Sequence, residues 1–148
     1  MNFQSTYKNI ILKLDACQGL PLLAIRLIIG IIFIQTGLGK LIHFTDTTAF
    51  FADLHIPMPA LNAAMACATE FVGGILLILG LETRLISIAL AFVMVIAIVT
   101  AQLGQIHGLS EFIRLQEVDY LLFFGLFVFT GAGKFSIDYW VRRKRWGV

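Results

Sequence analysis

The chain has 148 residues, of which 59% are hydrophobic and only 14% charged. A soluble domain carries about 25% charged residues, so this composition, with a mean hydropathy of +0.90, excludes an ordinary soluble domain and describes a polytopic membrane protein of one domain, residues 1–148. The net charge of +2 is informative only once its members are placed along the chain.

In chain order, Tyr7, Ile10, Ile11 and Leu14 recur at helical spacing with Lys8 and Lys13 off that stripe. The pattern predicts a short interfacial amphipathic segment over 1–18. The first apolar run starts late, at Leu20, contains Arg26 and ends in Gly37-Leu38-Gly39-Lys40 without an A-x-A-like site. It is expected to be a retained span and not a cleaved signal peptide. Spans are predicted over about 20–40, 60–81, 85–102 and 113–132. Between the first two, Asp46–Leu54 has the pattern of a short amphipathic helix, which Pro57 and Pro59 then stop. Glu82-Thr83 is a tight turn between the second and third spans.

The fourth run is apolar only from Tyr120 to Thr130, too short to span at 1.5 Å per residue. It is therefore expected to extend upstream through Glu111–Asp119, which draws Arg114, Glu117 and Asp119 towards the membrane and makes Asp119 a candidate buried acid. Residues 139–148 form a basic tail with Tyr139, Trp140 and Trp146 suited to an aromatic belt. Nine of the eleven Lys and Arg residues then fall on one side of the membrane, against Lys40 and Arg114 on the other. The excess of positive charge places both termini in the cytoplasm. The basic tail is read as an orientation and lipid-surface signal, not as a nucleic-acid patch. The fold expected is an all-α, four-helix transmembrane bundle with short interfacial helices.

Glu70 is the only charged residue between Ile56 and Leu81. A carboxylate near the bilayer centre costs about 2.5–3.5 kcal/mol on insertion scales, so it calls for a partner. Arg26, Gly30, Phe33, Gly37 and Lys40 share one face of the first span; Ala63, Ala66, Glu70, Gly73 or Gly74, and Leu77 share one face of the second. Small residues on these faces allow close helix approach in lipid. Counting heights from the span ends puts Arg26 and Glu70 about 7 Å apart along the bilayer normal. An Arg26–Glu70 ion pair or water-bridged link is therefore predicted, either as a staple between helices or as part of a ligand site. Arg26, Gln35, Lys40, Glu70 and Asp119 are the candidates for a buried polar or ligand site.

Aromatics crowd the fourth span at Phe112, Phe123, Phe124, Phe127 and Phe129. A flat quinone or a lipid tail could lie against them, with Phe33, Phe123 and Phe127 as candidate contacts; Phe is also an ordinary lipid-facing residue. His43, His55 and His107 sit in outer loops among acidic residues and could bind Zn or Cu, but their spacing matches no metal motif, so no metal site is expected. Cys17 and Cys67 are far apart, form no CxxC, and read as small packed side chains. HExxH, GxSxG, P-loop and CxxCH motifs are all missing. The chain holds no self-contained catalytic motif, and any electron transfer calls for a bound cofactor or partner subunits.

Several stretches together resemble the DoxX family of small four-helix membrane proteins. They are Arg26-Leu27-x-x-Gly30 with Phe33-x-x-x-Gly37-x-x-Lys40-Leu41; Pro57-Met58-Pro59; Glu70-x-x-Gly73-Gly74-x-Leu76-Leu77-x-x-Gly80-x-x-Thr83-Arg84; and Gly131-Ala132-Gly133-Lys134-Phe135-Ser136-Ile137-Asp138. The stretches Thr83–Ile88 and Val95–Thr100 are similar to the HvfX subgroup, associated with operons for metal-binding, ribosomally made peptides. Ala132 stands where the family usually has proline, and the cysteine pairs of some distant relatives are missing. The resemblance implies a multi-pass protein of the bacterial inner membrane. It implies either a quinone-linked oxidoreductase subunit or a non-catalytic chaperone or scaffold serving a partner protein at the outer face, as an oligomer or alone.

Overall fold

Gly, Pro and short polar turns cut the apolar chain into seven α-helices from Gly19 onward. The computed structural model describes residues 4, 7, 8, 11, 12, 17 and 19–146. Apart from those isolated positions, the interfacial segment expected over 1–18 lies outside the described residues, as do the last two residues of the tail. The helices are α1 (Gly19–Ile42), α2 (Phe44–Asp53), α3 (Pro59–Leu79), α4 (Thr83–Ala97), α5 (Leu109–Ile113), α6 (Gln116–Thr130) and α7 (Ile137–Trp146). A π-helical turn, Ile98–Gln102, and a 3-10 turn, Leu103–Gln105, continue α4. No strand occurs among the described residues.

Among the described residues three helices are long and apolar enough to cross a membrane: Gly19–Ile42, Pro59–Leu79 and Thr83–Gln102. Their outward faces carry large apolar side chains such as Ile28, Ile31, Val72, Leu85 and Ile88. Such a continuous apolar surface is unsustainable in water and is the ordinary solvent face of a protein in lipid.

The fourth span predicted over 113–132 is not found as one helix. The expected continuous helix over 113–132 is broken at Arg114 and Leu115, where Leu115 is extended (φ −68°, ψ 130°). The break leaves Glu111 and Arg114 exposed on α5 and its edge. Glu117 and Asp119 fall in the first turn of α6, where carboxylates complement the helix dipole. The 15 residues of α6 reach about 22 Å.

Two antiparallel contacts organise the bundle. On α1 and α3, a Cβ built on Gly30 would lie 2.9 Å from Gly74 O and 2.6 Å from Ile78 Cγ1, and one on Gly37 would lie 2.5 Å from Phe71 N. The two backbones touch at these glycines, the close approach that small-residue faces permit. The second pair is α4 with α6, through Leu90, Met94, Phe124 and Phe127. Phe33 joins the pairs, its ring edge-on to Tyr120 at 5.1 Å and to Phe124 at 5.2 Å.

One end of the bundle, the terminal end, is closed by the 131–136 loop between α6 and α7 together with the first residues of α7. Gly80, at φ 65°, ends α3 in a Schellman turn, with Leu81 N–H donating to Leu76 O at 3.0 Å. Asp138 N–H then donates to Gly80 O at 2.9 Å, and the Asp138 carboxylate accepts from Glu82 N–H (2.8 Å) and Thr83 N–H (3.0 Å). A side chain from the start of α7 thus caps the first turn of α4. Replacing Asp138 with alanine leaves both amides without this acceptor. It should lower stability by about 0.5–2 kcal/mol, the usual worth of an N-cap, read as an earlier melting transition in detergent with unchanged helical content.

Candidate functional site

The register set by the glycines decides which charges meet. With Gly37 against Phe71, Lys40 comes one turn later on α1 and Glu70 falls beside it on α3. Lys40 Nζ donates to Glu70 Oε1 in an ion pair whose carboxylate is only 1% exposed. The other carboxylate oxygen, Oε2, is buried and has no hydrogen-bond partner.

The same register carries Arg26 to the terminal end. Its guanidinium lies against Gly80 and donates through Nη1 to Ala132 O and through Nη2 to Phe135 O (2.6 Å). The predicted Arg26–Glu70 pair therefore does not form. Ten residues of α3 separate Gly80 from Glu70, an offset of about 15 Å, twice that obtained by counting from span ends. Both side chains are buried, each with a different partner.

Beside the Lys40–Glu70 pair lies a cavity of 710 Å³. Glu70 is its deepest residue on α3, and the lining runs from there towards the α1–α2 and α5–α6 connections, here called the loop end. Phe33, Phe92 and Tyr120 form aromatic walls, and Phe50 and Phe51 of α2 add to the lining. Asp46, Asn62 and Glu117 mark its polar rim, with Gln102 Nε2 donating to Glu117 Oε1 at 3.5 Å. The π-helical turn contributes Thr100 and Ala101 to the lining; such turns recur at functional sites because they rotate side chains out of the α-helical register. This arrangement suits a flat, largely apolar molecule with a polar group set against the Lys40–Glu70 pair.

The remaining sequence candidates divide. Lys40, Glu70 and Phe33 meet at the cavity. Gln35 is exposed on α1, away from the stripe that faces α3. Asp119 is also exposed: with Phe124 and Phe127 turned into the core, it points out of α6, and Glu117, two residues earlier, takes the place expected of it. Phe127 is fully buried in the core and Phe123 packs at its edge; neither lines the cavity. Cys67 is buried, as expected, while Cys17 is exposed. His43, His55 and His107 are exposed, His43 facing Asp46 and His107 facing Glu111, each at 3.8 Å. Among the described residues no group of three or more His, Cys, Asp or Glu side chains is placed to hold a metal ion. Tyr120, Phe92 and the α2 residues were not anticipated. For Tyr120 the available signal was its place three and four residues from Phe123 and Phe124 on the aromatic stripe.

Comparison with known proteins agrees with the fold. The DoxX family model matches residues 21–103. "Putative oxidoreductase CatD" of Bacillus subtilis (strain 168) is 36% identical over 100 residues, covering 68% of this chain and 69% of that protein. Inner membrane protein YphA of Escherichia coli (strain K12) is 35% identical over 77 residues, 52% of this chain and 55% of its own. Uncharacterized membrane protein Rv3486 of Mycobacterium tuberculosis is 29% identical over 138 residues, 85% of each chain. No solved structure matches. The matched segment runs from the Arg26 helix through the Glu70 helix to the π-helical turn, and with it this membrane protein belongs to the DoxX family.

Proposed function

We propose that this protein is a small integral subunit of a bacterial inner-membrane redox system and that its cavity receives the head group of a quinone. One observation carries the reading: the Lys40–Glu70 ion pair, with its carboxylate 1% exposed, lines an aromatic-walled cavity of 710 Å³. An ion pair placed only to hold two helices has no need of an adjoining chamber, and a chamber for lipid tails has no need of a charge. Phe33 and Tyr120 offer faces and edges for a flat ring, and Lys40 Nζ keeps N–H donors beyond the one given to Glu70. When bound, a quinone supplies two-electron, two-proton redox chemistry; the residues here position its ring and hold a hydrogen bond at Lys40 or Glu70. The oxidoreductase name of the Bacillus subtilis relative supports the same class. In this reading α6 completes a fourth crossing, and the excess of Lys and Arg at the terminal end faces the cytoplasm, which opens the cavity towards the outer face.

Ala66 lies one turn from Glu70 and lines the cavity. Ala66→Phe fills the chamber next to the ion pair without removing a polar group. Purified wild-type protein, extracted and analysed by mass spectrometry, should release a quinone in near-stoichiometric amount, and Ala66→Phe should release about tenfold less while melting within a few degrees of wild type. A wild-type extract without quinone, or a variant that retains it fully, would sink the proposal.

A further inference from the structure

Glu70 presents two oxygens that differ in their partners. Oε1 accepts from Lys40 Nζ, whereas Oε2 is buried and receives no hydrogen bond. A carboxylate oxygen can only accept, so the partner that Oε2 lacks is a donor. None of the polar side chains that line the cavity with Glu70, Lys40, Thr36, Thr69 and Tyr120 among them, donates to Oε2. Cys67 packs nearby on the same helix and does not donate to it either. A buried acceptor left in this state is unfavourable, and a ligand that donates to it gains the difference on binding.

Resting on the quinone reading above, we infer that the cavity distinguishes the two redox forms of its ligand and holds the hydroquinone more tightly, through a hydroxyl donated to Glu70 Oε2. The oxidised ring carries carbonyl oxygens that only accept; set against Oε2 they bring two acceptors together. The reduced ring carries O–H groups that donate. Lys40 does not discriminate, because a carbonyl and a hydroxyl oxygen both accept from its ammonium. The discrimination therefore resides in one atom of the site. A hydrogen bond to a charged group corresponds to about tenfold to a hundredfold in affinity. By linkage, each tenfold preference for the reduced form raises the two-electron potential of the bound molecule by about 30 mV.

The test uses the full chain in detergent under nitrogen, with decylubiquinone, decylubiquinol and the dimethyl ether of the quinol as probes, and calorimetric titration as readout. The quinol should bind about tenfold or more tightly than the quinone, and the ether, which keeps the shape without the donors, should bind no better than the quinone. In Glu70→Gln the amide presents a donor as well as an acceptor, and the preference for quinol should vanish or reverse. Equal or tighter binding of the quinone by the wild type overturns the inference and leaves the quinone site standing; so does a preference that survives in the ether or in Glu70→Gln. Binding of no probe at all overturns both.

Discussion

Replacing Gly37 with alanine is expected to separate α1 from α3 and to cost about 3 kcal/mol or more of stability. Overpacking a core by one methyl group typically costs about 1–3 kcal/mol, when neighbouring side chains can shift. Here the obstacle is backbone: the new Cβ would stand 2.5 Å from Phe71 N and 2.9 Å from Phe71 Cα. No rotamer change relieves that, so the helices must part. Lys40, one turn beyond Gly37, would be carried away from Glu70, and the cavity would lose its ion pair. Gly74→Ala meets the same obstacle from the other helix, with Gly30 O at 2.6 Å and Ile34 N at 2.7 Å. Gly39→Ala is the matched control on α1, since nothing lies within 4 Å of its Cβ position. That variant should melt at or slightly above the wild-type temperature, because alanine is the better helix former by about 0.5–1 kcal/mol. Thermal unfolding in detergent should place Gly37→Ala and Gly74→Ala well below wild type; coincidence of Gly37→Ala with Gly39→Ala would refute the glycine contact as the determinant of register.

That register also marks the boundary of what the sequence could tell. The stripe Arg26, Gly30, Phe33, Gly37 and Lys40 was legible as the packed face of α1, because periodicity of small residues reports which side of a helix faces protein. Which charge on the stripe would meet Glu70 was not legible, because heights counted from span ends miss where the glycines dock. Asp119 failed for a related reason. Once Phe124 and Phe127 turn inward, residues two apart on α6 cannot share a face, so Glu117 reaches the cavity rim and Asp119 does not. The cavity itself left no local signal: its lining draws together side chains of α1, α2, α3, α4, the π-helical turn and α6, which only tertiary packing brings to one place. Likewise the 131–138 stretch could be read as a motif but not as a buckle, since its hydrogen bonds are to Arg26 and to the α3–α4 turn, far away in sequence.

Arg26→Ala should be among the most damaging single substitutions outside the glycine contacts, costing about 3–6 kcal/mol, from two hydrogen bonds made by a charged group at about 1.5–3 kcal/mol each. The side chain is 1% exposed, and its loss leaves Ala132 O and Phe135 O without their donor and Gly80 without its neighbour. The loop that carries Asp138 to the start of α4 would then lose its tie to α1. Arg26→Lys should recover only part of the loss, because an ammonium cannot span two carbonyls as the planar guanidinium does. The decisive comparison pairs Arg26→Lys with Glu70→Gln. The two sites lie about 15 Å apart along the bundle and share no partner, so their effects on unfolding free energy should add to within about 0.5 kcal/mol. A coupling above about 1 kcal/mol, of the size found between contacting residues, would restore the direct Arg26–Glu70 interaction and displace Lys40 as the partner of the buried carboxylate. Additivity, together with an intact quinol preference in Arg26→Lys, would establish that the terminal end holds the bundle closed while the Lys40–Glu70 end meets the ligand.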